Sequence, residues 1–256
     1  MKVTVIQSDI VWRDKAANLE NIGNMIAGCG TTDLIVLPEM FSTGFCMEAA
    51  VIAESDYDGG EVLPWMRRIA EEKNAAVTGS VAVKSGEMFF NRMYFVQPDG
   101  IVAHYDKRHL FGYSGENLHY SPGNRRRVIC FRGVRILLQV CYDLRFPVWS
   151  RNCGDYDLAV YAASWPVNRI AAWDLLLRAR AVENQCYVVG ANRVGDDPIC
   201  RYPGHSVIIH PYGNVMTELR DGETGCITAD IDMEWLRGFR EKFPVLHDAD
   251  RFHIEK

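Results

Sequence analysis

Short apolar runs alternate with longer amphipathic stretches along most of the chain. Residues 2–8, 34–37, 75–83, 88–97, 101–105, 127–132, 134–140, 157–163, 186–192, 206–210, 214–219 and 226–231 read as strands, each bounded by turn-forming residues. Helices are expected over 14–27, 62–74, 169–184 and 232–242. In the first of these Ala17, Leu19, Ile22, Met25 and Ile26 recur at helical spacing, with Gly28 or Gly30 available to end it. In the third, Asn168 is a candidate cap ahead of Trp173, Leu176, Leu177 and Ala181. Ser85-Gly86, Pro98-Asp99-Gly100 and Pro211-Tyr212-Gly213 mark turns, and Gly59-Gly60 breaks the chain ahead of the second helix. Strands and helices alternate in both halves, which predicts an α/β protein with helices covering sheets. There is no linker, low-complexity stretch or short repeat, so residues 1–256 read as one domain.

Composition narrows the class without choosing the chemistry. The chain is 48% hydrophobic and 24% charged, which permits a sizeable core. Its net charge of −5 argues against nucleic acid or an anionic membrane as the main partner. No run approaches the roughly 20 apolar residues of a membrane span, and the chain opens on a strand-like segment rather than a signal peptide. The 8 cysteines include no C-x-x-C pair. Several, such as Cys130, Cys186 and Cys226, lie in apolar strand-like runs, so they read as reduced thiols of a cytoplasmic protein.

The candidate chemistry starts at Cys141. It follows the apolar run 134–140 and precedes a segment that reads as a helix start, with Asp143 as a first-turn or cap residue. A cysteine at such a corner projects from the sheet edge, beside backbone N–H groups that can hold an anion. A buried structural cysteine is the plainer alternative. Two other polar groups also stand just beyond apolar strands, Glu39 after Leu37-Pro38 and Lys107 after the run ending at Tyr105. If these strands share one sheet end, Glu39 can serve as base for the thiol and Lys107 can stabilise an oxyanion. A backbone N–H near Tyr142 would be a second donor. Lys107 favours a thiolate and Glu39 disfavours it, so the thiol's ionisation cannot be read from the residue types alone.

Leu37-Pro38-Glu39-Met40-Phe41, Asp106-Lys107-Arg108-His109-Leu110-Phe111 and Cys141-Tyr142-Asp143-Leu144-Arg145-Phe146-Pro147 resemble, in order and spacing, the three signatures of the nitrilase superfamily of carbon–nitrogen hydrolases. The resemblance implies a four-layer α-β-β-α sandwich that stacks into a homodimer or higher homo-oligomer. It also implies a Glu-Lys-Cys triad of Glu39, Lys107 and Cys141, acting without metal or organic cofactor. Glu116, five residues before Ser121-Pro122-Gly123, fits the second glutamate that many members carry. Three further stretches look like those of the bacterial omega-amidases: Ala163-Ser164-Trp165-Pro166, residues 178–185, and Arg240-Glu241-Lys242-Phe243-Pro244 with Asp248-Ala249-Asp250. That likeness implies hydrolysis of the terminal amide of alpha-ketoglutaramate and related 2-oxo acid amides.

Plainer readings stand beside these. Residues 178–185 can be a helix end whose charges pair with neighbours, and the tail can be a packing segment. Arg125-Arg126-Arg127 reads as a solvated turn, and Arg145 as a structural ion pair near the nucleophile. Phe45 and Trp165 can line the pocket or pack at its rim. A substrate carboxylate would suit an arginine fork, supplied by Arg145, Arg169 or Arg193. His104, His109, His119, Cys141 and His205 lack the close pairing of a zinc site. Rival activities within the same chemistry are a nitrilase, a carbamoyl-amine hydrolase and an amidase of deaminated glutathione. A thiol redox protein or an inactive interaction module would leave Glu39 and Lys107 unexplained.

Overall fold

Runs that are mostly apolar, without a polar alternation, form strands covered on both faces. In the segment Val134–Val140, Ile136, Leu138 and Val140 enter one buried cluster while Leu137 enters another. A computed structural model describes residues 1–57 and 60–254; the break expected at Gly59 lies outside them. The elements are β1 (Lys2–Gln7), α1 (Lys15–Gly28), β2 (Leu34–Val36), α2 (Ala49–Ile52), β3 (Glu54–Ser55), α3 (Val62–Lys73), β4 (Ala76–Ser85), β5 (Met88–Val96) and β6 (Val102–Asp106). They continue as α4 (Glu116–His119), β7 (Val128–Phe131), β8 (Val134–Val140), α5 (Pro147–Ser150), β9 (Leu158–Ala163), α6 (Ile170–Glu183) and β10 (Tyr187–Asn192). The last are β11 (Val194–Asp196), β12 (Arg201–Pro203), β13 (Val207–Ile209), β14 (Val215–Glu218), β15 (Gly225–Asp230) and α7 (Met233–Lys242).

One sheet has the order β15-β1-β2-β4-β5-β6, with β3 also pairing β4; the other has the order β14-β13-β10-β9-β8-β7. Each carries a parallel centre, β1-β2-β4 or β8-β9-β10, flanked by antiparallel strands. Parallel neighbours need crossovers, which α1, α3 and α6 supply. Val3, Val5, Leu34, Val36 and Phe95 meet Ile136, Leu138, Val160 and Val189 between the sheets. Ile6 and Ile35 face Ile22, Ile26 and Met66 on the outer side of the first sheet. Tyr161 and Val188 face Trp173 and Leu177 on the outer side of the second. The result is a four-layer α-β-β-α sandwich.

Local chemistry explains the element ends. The Asp14 carboxylate accepts the N–H of Ala17 to open α1, and Asp232 does the same for Trp235 in α7. Asn168 does not cap α6: residues Val167–Arg169 form a 3-10 turn, and the helix begins without a side-chain cap. Cys130 and Cys226 lie in strands but are exposed, whereas Cys186 is buried just ahead of β10. No helix among the described residues is long and apolar enough to cross a membrane.

Candidate active site

The carboxyl ends of β2, β6, β8 and β9 converge at one end of the sandwich. Glu39 lies three residues past β2. Its backbone is tied to the second sheet by its N–H to Ala163 O at 3.4 Å and by the Ser164 hydroxyl donating to Glu39 O at 3.2 Å. Lys107 follows β6, its N–H still on Asn91 O at 2.9 Å. Cys141 begins a 3-10 turn, Cys141–Arg145, with φ at +44°. A side chain in that left-handed region costs about 1–2 kcal/mol, so the corner must be held by its surroundings. The expected helix is thus a tight turn followed by the single turn of α5, whose first residue is Pro147. Asp143 is in the first turn but reaches backward, its Oδ2 accepting the Val140 N–H at 3.0 Å.

Glu39, Lys107 and Glu116 are fully buried and in contact. Lys107 Nζ donates to Glu39 Oε1 at 2.9 Å and to Glu116 Oε1 and Oε2 at 3.0 and 2.8 Å. The other oxygen of Glu39 accepts the Ser164 N–H at 2.9 Å. The Cys141 sulfur is 4.0 Å from Ser164 O. Glu116 opens α4 and accepts the Phe111 N–H at 2.6 Å.

Burial by itself lowers the lysine pKa, but Glu116 and Glu39 outweigh it and hold Lys107 above the ordinary value. Burial, then the charge of Glu39, pushes the Cys141 thiol well above its usual range, with Lys107 opposing. The sign left open by the residue types therefore falls toward the neutral thiol. Burial also raises Glu116, yet its partners Lys107, Asn91 and the Phe111 N–H are all donors. That pattern favours the ionised carboxylate, against the pull of burial.

Sequence reasoning missed Asn91. Its Nδ2 donates to Glu39 Oε1 at 2.7 Å and to Glu116 Oε1 at 3.1 Å, bridging the two carboxylates. A signal was present, since asparagine is depleted in strands and here interrupts the apolar run of β5.

Cys141 opens onto a pocket of about 80 Å³, room for a handful of waters and so for a small molecule. Phe45, Tyr142 and Trp165 all line it. Phe45 also lies under the Lys107 ammonium, 5.1 Å from ring centroid to nitrogen. Trp165 is fixed by its N–H to Asn192 Oδ1 at 2.7 Å and its indole N–H to Arg169 O at 2.8 Å. The β11–β12 hairpin, unforeseen from the sequence, supplies another wall through Ile199, Cys200 and Tyr202. Asp197 braces it, accepting from the N–H groups of Ile199 and Cys200 at 2.7 Å each and from the Tyr202 hydroxyl at 2.6 Å.

Of the three arginines, Arg145 and Arg169 line the pocket and Arg193 does not. The guanidinium of Arg145 lies over Trp165 at 5.0 Å, and that of Arg169 over Phe111 at 5.1 Å. Arg145 thus stacks on an aromatic ring where an ion pair was expected. Arg193 is buried and donates to Val194 O and Ile10 O at 3.0 and 2.9 Å. The 178–185 stretch is a support: Arg180 donates to Leu144 O at 2.5 Å, behind the Cys141 turn. The start of the tail packs against it, Gln185 donating to Phe243 O at 2.7 Å. Arg126, in the basic run, pairs with Asp155. Among the described residues no three His, Cys, Asp or Glu side chains are grouped to hold a metal ion.

These strand ends and this buried cluster are those of a carbon–nitrogen hydrolase, and the family model of that description matches residues 2–241. The chain belongs to this family. It is 48% identical over 255 residues to omega-amidase YafV of Escherichia coli K12, covering 99% of this chain and 98% of that protein. It is 34% identical over 251 residues to the 2-oxoglutaramate amidase of Bacillus subtilis, covering 96% of each. The solved structure of XC1258 from Xanthomonas campestris, a CN-hydrolase superfamily protein with an arsenic adduct in its active site, superposes with a TM-score of 0.96. Its identity is 39%, covering 100% of this chain and 99% of that one.

Proposed function

We propose that the protein is an omega-amidase, a thiol hydrolase that releases ammonia from the terminal amide of small 2-oxo acid amides such as alpha-ketoglutaramate. The observation that carries this reading is the 48% identity, over nearly the whole length, to a protein named omega-amidase. The pocket supports it: Arg145 and Arg169 stand at its wall on aromatic faces, suited to the carboxylate at the far end of such a substrate.

In the mechanism we propose, Cys141 is the nucleophile. Its proton passes to Glu39 as sulfur bonds to the amide carbon. Lys107 and the Tyr142 backbone N–H stabilise the oxyanion. Glu39 returns the proton to the amide nitrogen, the carbon–nitrogen bond breaks, and ammonia leaves a thioester on Cys141. Glu39 then takes a proton from water as its oxygen attacks the thioester. The second oxyanion collapses, the carbon–sulfur bond breaks, and the thiol recovers its proton as the acid leaves. Glu116 keeps Lys107 charged and oriented. Starting from a neutral thiol suits this sequence, because a thiolate would add a third negative charge beside Glu39 and Glu116.

We read the whole chain as one catalytic domain of a cytoplasmic homodimer. Exposed Leu175 and Val182 on α6 support an apolar contact between copies. Ammonia release compared between alpha-ketoglutaramate and glutamine tests the substrate assignment. A higher kcat/KM is expected for the oxo acid; equal or lower values point to a different amidase of the same family. A panel extended to nitriles and carbamoyl amines separates those alternatives.

A further inference from the structure

Asp143 does not line the pocket, yet it is completely buried and its carboxylate is used on every side. Oδ2 accepts the Val140 N–H at 3.0 Å and the Tyr105 hydroxyl at 2.8 Å. Oδ1 accepts the His109 N–H at 3.0 Å and contacts His109 Nδ1 at 2.8 Å. A carboxylate only accepts, so Nδ1 carries the hydrogen in that last contact. Burial, then the charge of Asp143, raises the Tyr105 pKa well above normal, so the phenol keeps its proton to donate.

The partners have a pattern. Tyr105 and His109 lie two residues before and two residues after Lys107, and Asp143 lies two residues after Cys141. One carboxylate therefore grips the chain on both sides of Lys107 and also grips the strand residue preceding Cys141. Both grips are reinforced. The Tyr105 hydroxyl accepts from the Trp149 indole at 3.0 Å and the Arg108 N–H at 3.1 Å. The His109 ring stacks on Phe146, at the end of the Cys141 turn, with centroids 3.8 Å apart and planes 8° apart. Glu39 is held by other partners, Asn91 and Ser164. The Asp143 link thus spans Lys107 and Cys141 without passing through Glu39.

We propose that Asp143 is a positioning residue of the amide-cleaving reaction, fixing the separation between Cys141 and Lys107 through Tyr105 and His109. The inference rests on the reading of Cys141 as nucleophile and Lys107 as oxyanion donor. It separates two reactions of the same thiol. Amide cleavage needs the oxyanion held at Lys107, whereas alkylation by iodoacetamide forms a carbon–sulfur bond as the carbon–iodine bond breaks, with iodide and the thiol proton released to the buffer and no oxyanion formed.

The experiment compares the two reactions in Tyr105→Phe, which removes one grip on the Lys107 side and leaves the Val140 contact intact. Ammonia release from alpha-ketoglutaramate should fall on the order of 10- to 100-fold in kcat, the scale of a small misplacement of reacting groups, with alkylation of Cys141 within about threefold. Unchanged kcat overturns the proposal, and so does an equal loss of both reactions. His109→Leu and His109→Asn form a second pair, decisive if Tyr105→Phe does not fold. Asparagine can present an N–H where Nδ1 stood, so it should recover most of the kcat that leucine loses; equal activity in the two overturns the proposal. Cys141→Ala is the control for the underlying reading. If that variant still turns over amide, the nucleophile assignment fails; if it is inactive while Tyr105→Phe behaves as wild type, only the positioning role fails.

Discussion

Lys107 Nζ sits 2.9 Å from Glu39 Oε1, and both side chains are closed to solvent. This contact divides the work of the Glu39 carboxylate between its two oxygens. One is committed to the ammonium and to Asn91, while the other accepts the Ser164 N–H. In the proposed mechanism Glu39 is the base of both half-reactions, and these contacts hold its carboxylate in one orientation. Lys107, held charged by two carboxylates, is a poor base and a suitable oxyanion donor.

Glu39→Gln should therefore be the most damaging carboxylate substitution. It removes the base for both half-reactions, and its amide must turn an N–H toward Lys107, Asn91 or the Ser164 N–H, all of which are donors. Loss of general acid–base catalysis predicts a fall in kcat on the order of 10²–10⁴-fold, read by ammonia release. A value near wild type would remove Glu39 from the base role.

Glu116→Gln should lower kcat less than Glu39→Gln, by about 10²-fold, because Lys107 keeps Glu39 as a counter-charge. Its thermal midpoint should also fall by several degrees, since breaking a buried, hydrogen-bonded ion pair costs about 3–5 kcal/mol. A loss of kcat exceeding that of Glu39→Gln would exchange the roles of the two glutamates. An unchanged midpoint would contradict the contacts seen for Glu116.

The sequence carried the parts of this site that depend on local order. Glu39, Lys107 and Cys141 each follow an apolar strand, and strand ends can be read from hydropathy. Glu116 was singled out only through the family resemblance, which implies a second glutamate shortly before the Ser121-Pro122-Gly123 turn. What escaped depends on pairing across the chain. The Ser164 N–H that orients Glu39 is 125 residues away, and nothing local marks that meeting. Arg193 looked as eligible for the pocket as Arg145 or Arg169, but backbone carbonyls of Val194 and Ile10 claim it. The strands β11 and β12 are three residues each, too short for a periodicity to show. Asn168 sits in a 3-10 turn because Pro166 holds the preceding backbone extended, so the α-helix starts later than its capping pattern suggested.

The raised thiol makes a prediction about stability. Burial, then Glu39, keeps the proton on Cys141 in the folded chain, while an unfolded cysteine loses it near about pH 8.5. Above that pH the folded state binds more protons than the unfolded one, so stability falls as pH rises. The contribution is intact below about pH 8.5 and is lost progressively above it. Urea unfolding across this range should show wild type losing more stability than Cys141→Ser, which has no titrating thiol there. Parallel pH profiles of the two would contradict a neutral resting thiol.

Arg169 and Arg145 predict how the pocket selects an acid tail. Arg169→Gln should raise KM for alpha-ketoglutaramate by about 10- to 150-fold, the range of one charge-assisted hydrogen bond of about 1.5–3 kcal/mol, and leave KM for an uncharged short amide nearly unchanged. Arg145→Gln should act in the same direction. It should also loosen Trp165, whose ring its guanidinium covers. If neither variant distinguishes the charged from the uncharged amide, these arginines are not the carboxylate site.

The covalent step is the centre of the account, and mass spectrometry of the enzyme quenched during turnover addresses it most directly. Wild type mixed with alpha-ketoglutaramate should carry one acyl group with the mass of the substrate less ammonia, mapped to the peptide containing Cys141. Cys141→Ala should fold, carry no adduct and release no ammonia. An adduct on another cysteine, or ammonia release by folded Cys141→Ala, would contradict Cys141 as the nucleophile.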